Sequence, residues 1–190
     1  MKMRIRFHLR ILFATCALLC VAGAAATDLP GDSLYRLDIA LVDQDGHGFR
    51  LAERRHKPVL ISMFYTSCQY VCPLIIDTLR KTQGALAQDG GTKLDVLLVS
   101  FDPERDTPAR LKQVFGERKL DANWTLARTD ETSVRKLAAV LDIQYRALAN
   151  GDVNHSSSIT LLDGEGRILA RTDKIGTVDA EFVAKARAAR

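Results

Sequence analysis

The stretch Pro58-Val59-Leu60-Ile61-Ser62-Met63-Phe64-Tyr65-Thr66-Ser67-Cys68-Gln69-Tyr70-Val71-Cys72-Pro73 carries the pattern that decides the fold. Its first half, Pro58 to Tyr65, is an apolar run of strand length, the mark of a strand covered on both faces. Pro73 suits the first turn of a helix, where its missing amide hydrogen costs nothing. Leu74, Ile75, Ile76, Leu79 and Leu86 supply an apolar face behind it. The two cysteines therefore fall on a strand-to-helix junction.

Outward from the junction the pattern repeats. Leu94 to Phe101 reads as a second buried strand, and Thr107-Pro108 opens a helix running through Leu111, Val114 and Phe115, with Asp106 and Thr107 as its expected caps. Asn123 to Ala127 reads as a short strand and Glu131 to Leu141 as a helix. Ser158 to Leu162 and Arg167 to Arg171 read as a hairpin turning at Asp163-Gly164, and Val178 to Ala188 as a last helix. On the N-terminal side, Leu34 to Leu41 alternates apolar and polar residues. The turn signal Asp45-Gly46-His47-Gly48 then leads to Phe49 and Leu51, which predicts a peripheral hairpin. The order of elements is that of an α/β, thioredoxin-like fold: a central mixed sheet flanked by helices, with an N-terminal hairpin extension. Met63 and Trp124 belong to its core.

Residues 1–26 stand apart. Lys2, Arg4, Arg6 and Arg10 precede the apolar run Ile11 to Gly23 and the small residues Ala24, Ala25 and Ala26, the order of a signal peptide cut after Ala26, with an uncleaved anchor as the alternative. Residues 27–190 then form one domain, expected to be exported, in a bacterial periplasm, and monomeric. Taking the four basic residues of the leader from the 27 in the chain leaves 23, which balances the 23 acidic residues. A neutral domain gives no reason to invoke nucleic acid or an anionic membrane surface.

Cys16 and Cys20 lie in the apolar run, so Cys68 and Cys72 are the cysteines of the exported part. If the first helical turn begins near Cys68, a spacing of four places both sulfurs on one side, within reach of each other or of one ion. A helix start favours thiolate over thiol. As a staple the pair would close too small a loop to constrain the unfolded chain much. Soft thiolates suit copper(I), for which one imidazole would complete three-coordination. His8 lies in the leader, His47 in a Gly-flanked turn and His56 in the basic loop Arg54 to Lys57. His155 opens a strand after the loop Asn150 to Asn154, and on its own reads as a surface or turn histidine. Asp102, at the end of a buried strand, reads either as a charge behind the thiols or as a turn-former before Pro103.

Three segments taken together carry a family resemblance: Thr66 to Pro73, then Ser100-Phe101-Asp102-Pro103-Glu104-Arg105-Asp106-Thr107-Pro108, then His155-Ser156 leading to Leu161-Leu162-Asp163 and Gly166-Arg167. The chain resembles the SCO (SenC) family of copper chaperones linked to cytochrome c oxidase assembly. The resemblance implies copper held by Cys68, Cys72 and His155, three ligands where a structural zinc would want four. It implies a metallochaperone rather than an enzyme, with the copper-site subunit of cytochrome c oxidase, or another copper or thiol protein, as partner. It equally permits a thiol-disulfide oxidoreductase in which Cys68 and Cys72 are the redox-active pair. A thiol peroxidase would need an arginine beside the sulfur, and the sequence assigns none to that role.

Overall fold

The computed structural model describes residues 29–88, 93–149 and 153–188. The leader reading therefore lies outside the described residues. Strand β3 (Val59–Phe64) is buried at every position, and it sits inside a seven-stranded sheet. Its parallel neighbour is β4 (Asp95–Ser100), in the register Leu60 to Val96 and Phe64 to Ser100. Beyond β4 lies β5 (Trp124–Arg128), also parallel, then β1 (Ala40–Asp43) and β2 (Gly48–Arg50), which pair as an antiparallel hairpin. On the other side β3 pairs antiparallel with β8 (Ile159–Leu162), and β8 with β9 (Ile168–Thr172). This is the mixed sheet expected of a thioredoxin-like fold.

Helix α1 (Val71–Ala87) buries Cys72, Ile75, Ile76, Leu79 and Leu86, the stripe that its periodicity calls for. Each such side chain contributes about 1.5 to 3 kcal/mol by leaving water. Leu79 is fully buried, and its truncation to alanine should cost about 2 to 5 kcal/mol. Helix α4 (Ala180–Ala188) packs against α1 and β9, and α2 (Pro108–Glu117) against β5 and β1. Helix α3 (Glu131–Val140) begins at Asp130, whose carboxylate accepts the Ser133 amide. Among the described residues no helix is long and apolar enough to cross a membrane.

Two details depart from the sequence reading. The alternation at Leu34 to Leu41 is split between a 3-10 turn (Leu34–Arg36) and β1, because Leu34 and Tyr35 pack into the core side by side. The hairpin it begins lies at the sheet edge, yet Ile39, Leu41 and Leu51 are buried in the common core. The turn between β8 and β9 falls at Asp163-Gly164 as read, and its left-handed residue is Gly166 (φ 79°). A Cβ at Gly166 would meet the Tyr35 ring at 2.6 Å, so both backbone and space call for glycine.

Between α3 and β8 lies an element absent from the sequence reading. Strands β6 (Tyr145–Ala147) and β7 (Val153–His155) form a two-stranded antiparallel sheet of their own, with Tyr145 opposite His155. His155 closes this strand instead of opening the next.

Candidate metal centre

The chain leaves β3 at Phe64 and turns through Thr66 and Ser67 to Cys68, whose amide donates to the Tyr65 carbonyl. The helix starts at Val71, later than the spacing suggested. Cys68 thus lies in the turn before α1 and Cys72 in its first turn. No side-chain oxygen caps this helix; instead the Cys72 amide donates to Cys68 Sγ at 3.4 Å. The sulfur does the work of a capping oxygen, and the helix start favours negative charge upon it.

The two thiols consequently differ. At Cys68 partial burial opposes ionisation, but the Cys72 amide and thiol and the Tyr70 and Val71 amides outweigh it, so the thiol sits below its ordinary value. Cys72 is 3% exposed, and burial pushes its thiol well above the ordinary value, with the negative charges of Cys68 and Asp106 adding to the effect. The outer thiol is thus the more acidic of the two and the inner one the less acidic.

The β6–β7 hairpin brings His155 to the same place. Its Nε2 lies 4.0 Å from Cys72 Sγ, and the ligand atoms of Cys68, Cys72 and His155 all lie within 4.8 Å of one another. The ring's Nδ1 is 2.9 Å from the Ser156 carbonyl. A carbonyl can only accept, so this contact puts the proton on Nδ1 and leaves the Nε2 lone pair facing the sulfurs. Burial lowers the His155 pKa, against the pull of the Ser156 carbonyl, and so favours the neutral ring. The Phe101 ring packs on it at 4.8 Å between centroids, and the Tyr65 ring meets it edge-on at 6.0 Å. An open cleft borders the group, walled by Gln69, Tyr70, Leu148, Val153 and Asn154.

Asp102 is placed differently. Its carboxylate pairs with Arg105, its amide donates to Ser100 Oγ, and it lines a cleft with Phe101 and Tyr145 outside the thiol group. Of the two caps read from the sequence, Thr107 is one, its hydroxyl accepting the Arg110 amide, and Asp106 is not. Asp106 is instead fully buried, accepting the Thr66 amide at 3.0 Å together with the hydroxyls of Thr66 and Ser100. It pins the segment that leads into Cys68. The signal for this role was available: Thr107-Pro108 already suffices to start the helix, which leaves Asp106 a carboxylate in need of other work.

Comparison with known proteins gives this geometry a family. The sequence model of the SCO1/SenC proteins matches residues 29–189. The chain belongs to the SCO1/SenC family. It is 28% identical over 141 residues to an SCO2-like protein of Rickettsia felis, covering 70% of this chain and 66% of that protein. The match thus spans slightly less than two thirds of that relative's length. Among solved structures, an Aquifex aeolicus protein described as a candidate for electron transfer is 29% identical with a TM-score of 0.73, covering 84% of this chain and 94% of that one. Bradyrhizobium japonicum ScoI, solved with copper bound, is 26% identical with a TM-score of 0.66, covering 80% of this chain and 97% of its own.

Proposed function

We propose that this chain is an exported copper metallochaperone that holds one copper ion through Cys68, Cys72 and His155 and passes it to a copper site of cytochrome c oxidase. The observation that carries the reading is the convergence of three soft or borderline donors within 4.8 Å, with the imidazole tautomer already suited to a metal. Two thiolates and an imidazole suit copper(I), and three donors fall short of the four that structural zinc takes. The copper bound by the Bradyrhizobium relative supports it. The basic and apolar leader of residues 1–26 supports export to the periplasm, with residues 27–190 as the working domain.

A second reading rests on the asymmetry of the thiols. Cys68 is the more exposed and the more acidic, as an attacking sulfur should be, and Cys72 is the buried partner. Attack of the Cys68 thiolate on a partner disulfide forms a mixed disulfide. The Cys72 sulfur, after losing its proton, then displaces the partner's second sulfur, leaving a Cys68–Cys72 disulfide and a partner reduced by two electrons. This chemistry has no need of His155.

Copper titration of the reduced protein beside His155→Ala separates the two. The chaperone reading expects one copper per chain, an affinity at least about tenfold lower in the variant, and unchanged exchange with small disulfides. Equal copper binding in parent and variant removes His155 as a ligand. Absent copper binding with efficient reduction of protein disulfides puts the oxidoreductase first.

A further inference from the structure

His155 depends on a hairpin that the main sheet does not hold. Strands β6 and β7 have three residues each and, among the described residues, pair only with each other. A two-stranded ribbon of this size is at best marginal in water. Something in the body of the protein must fix it if the imidazole is to stay near the sulfurs.

Tyr65 meets this need. It follows the last residue of β3, is 5% exposed, and directs its hydroxyl at the backbone of β7. The hydroxyl donates to the Val153 carbonyl at 3.4 Å and accepts from the Val153 amide at 3.3 Å. Both backbone groups of Val153 therefore turn away from β6 toward one phenol oxygen, which sits where a third strand would offer its own amide and carbonyl. Val153 is two residues from His155, and the Tyr65 ring also meets the His155 ring edge-on. On the thiol side, the Tyr65 carbonyl accepts the Cys68 amide, and backbone contact from Tyr65 favours the Cys72 thiolate. One residue touches every member of the group.

We propose that Tyr65 is a positioning residue whose hydroxyl substitutes for a missing strand beside β7 and so holds His155 over the thiol pair. The inference rests on the copper reading above for its consequence, but its structural half stands without metal. Loss of the hydroxyl removes both hydrogen bonds to the Val153 backbone, so the hairpin loosens while the fold, whose core lies elsewhere, persists.

The test uses Tyr65→Phe, with Tyr35→Phe as control. Tyr35 likewise gives its hydroxyl to a backbone carbonyl, that of Arg54, away from the thiols. In the metal-free protein, hydrogen exchange at the Val153 amide should speed up about 5- to 10-fold in Tyr65→Phe and stay unchanged in the control. In copper(I) competition titrations Tyr65→Phe should bind about 3- to 10-fold more weakly. On a His155→Ala background it should add nothing, because its effect passes through the imidazole. Unchanged exchange at Val153 overturns the proposal, as does an undiminished copper loss on the His155→Ala background, which would mark a general structural defect. If His155→Ala weakens copper binding but Tyr65→Phe does not, the latch fails and the copper site stands. If His155→Ala binds like the parent, the copper site fails and the exchange rate alone decides on Tyr65.

Discussion

Cys68 and Cys72 stand on a junction between a strand buried on both faces and a helix with a full apolar stripe, and a buried carboxylate, Asp106, grips the approach through Thr66. His155 arrives on a hairpin of three-residue strands outside the main sheet, held by a phenol oxygen and by ring contacts with Phe101. The sulfurs are fixed by the cooperative core, the imidazole by a few local contacts. Elements with few buried contacts open at low free energy, so the imidazole should come and go more readily than the sulfurs.

The comparison breaks first at Asp106. Asp106→Ala leaves the Thr66 amide, the half-buried Thr66 hydroxyl and the buried Ser100 hydroxyl without their acceptor, each worth about 1 to 3 kcal/mol. The expected loss is about 3 to 5 kcal/mol of global stability in denaturant unfolding. A loss below about 1 kcal/mol would mean that the thiol segment is not held as described.

Next comes the difference between the sulfurs. In the reduced, metal-free protein, Cys68 in a Cys72→Ser variant should react with iodoacetamide at least about tenfold faster than Cys72 in a Cys68→Ser variant near neutral pH, one pKa unit corresponding to tenfold in thiolate. The Cys68 rate should reach half its maximum at a pH below that of an ordinary thiol. Equal rates, read by mass spectrometry, would erase the asymmetry.

A finer test compares the two backbones. Amides of β6 and β7 should exchange at least about tenfold faster than those of β3 and β4, because the hairpin opens alone and the sheet opens only with the whole protein. Uniform protection would make the hairpin part of the cooperative core.

The smallest effect lies in pH. His155 has its pKa lowered by burial, so the native site resists the proton that an unfolded chain accepts near 6.5. The unfolded state therefore binds more protons as pH falls through that value, and stability present above it is lost below it. The metal-free parent should lose more stability between pH 7.5 and 5.5 than His155→Ala does, and the His155 ring should titrate below 6.5 by NMR. A midpoint above that value would contradict the buried, neutral ring.

How much of this was legible follows the same division. The run Val59–Phe64, Pro73 and the stripe from Ile75 to Leu86 wrote β3 and α1 into the sequence, because buried strands and amphipathic helices leave period and length as signals. The β8–β9 hairpin was visible for the same reason, its Gly166 aside. Strands β6 and β7 were not, since three residues are too few to show a period and their partners are a phenol and a loop rather than a sheet. Tyr65 was absorbed into an apolar run, although a buried tyrosine hydroxyl always raises the question of its partner. For Cys68 the helix start was placed a turn too early, because nothing in Cys68 to Val71 announces that a sulfur will serve as the cap.

The separation of the thiols from the imidazole along the chain has a temporal consequence. Cys72 and His155 are 83 residues apart. A chain made N-terminus first at about 5 to 20 residues per second presents its sulfurs roughly 4 to 17 s before the histidine exists. Strands β3 and β4 and helix α1 can meet in that interval, while β8, the other neighbour of β3, is still to come. The nascent chain thus carries both cysteines before it carries the imidazole that stands beside them in the folded protein.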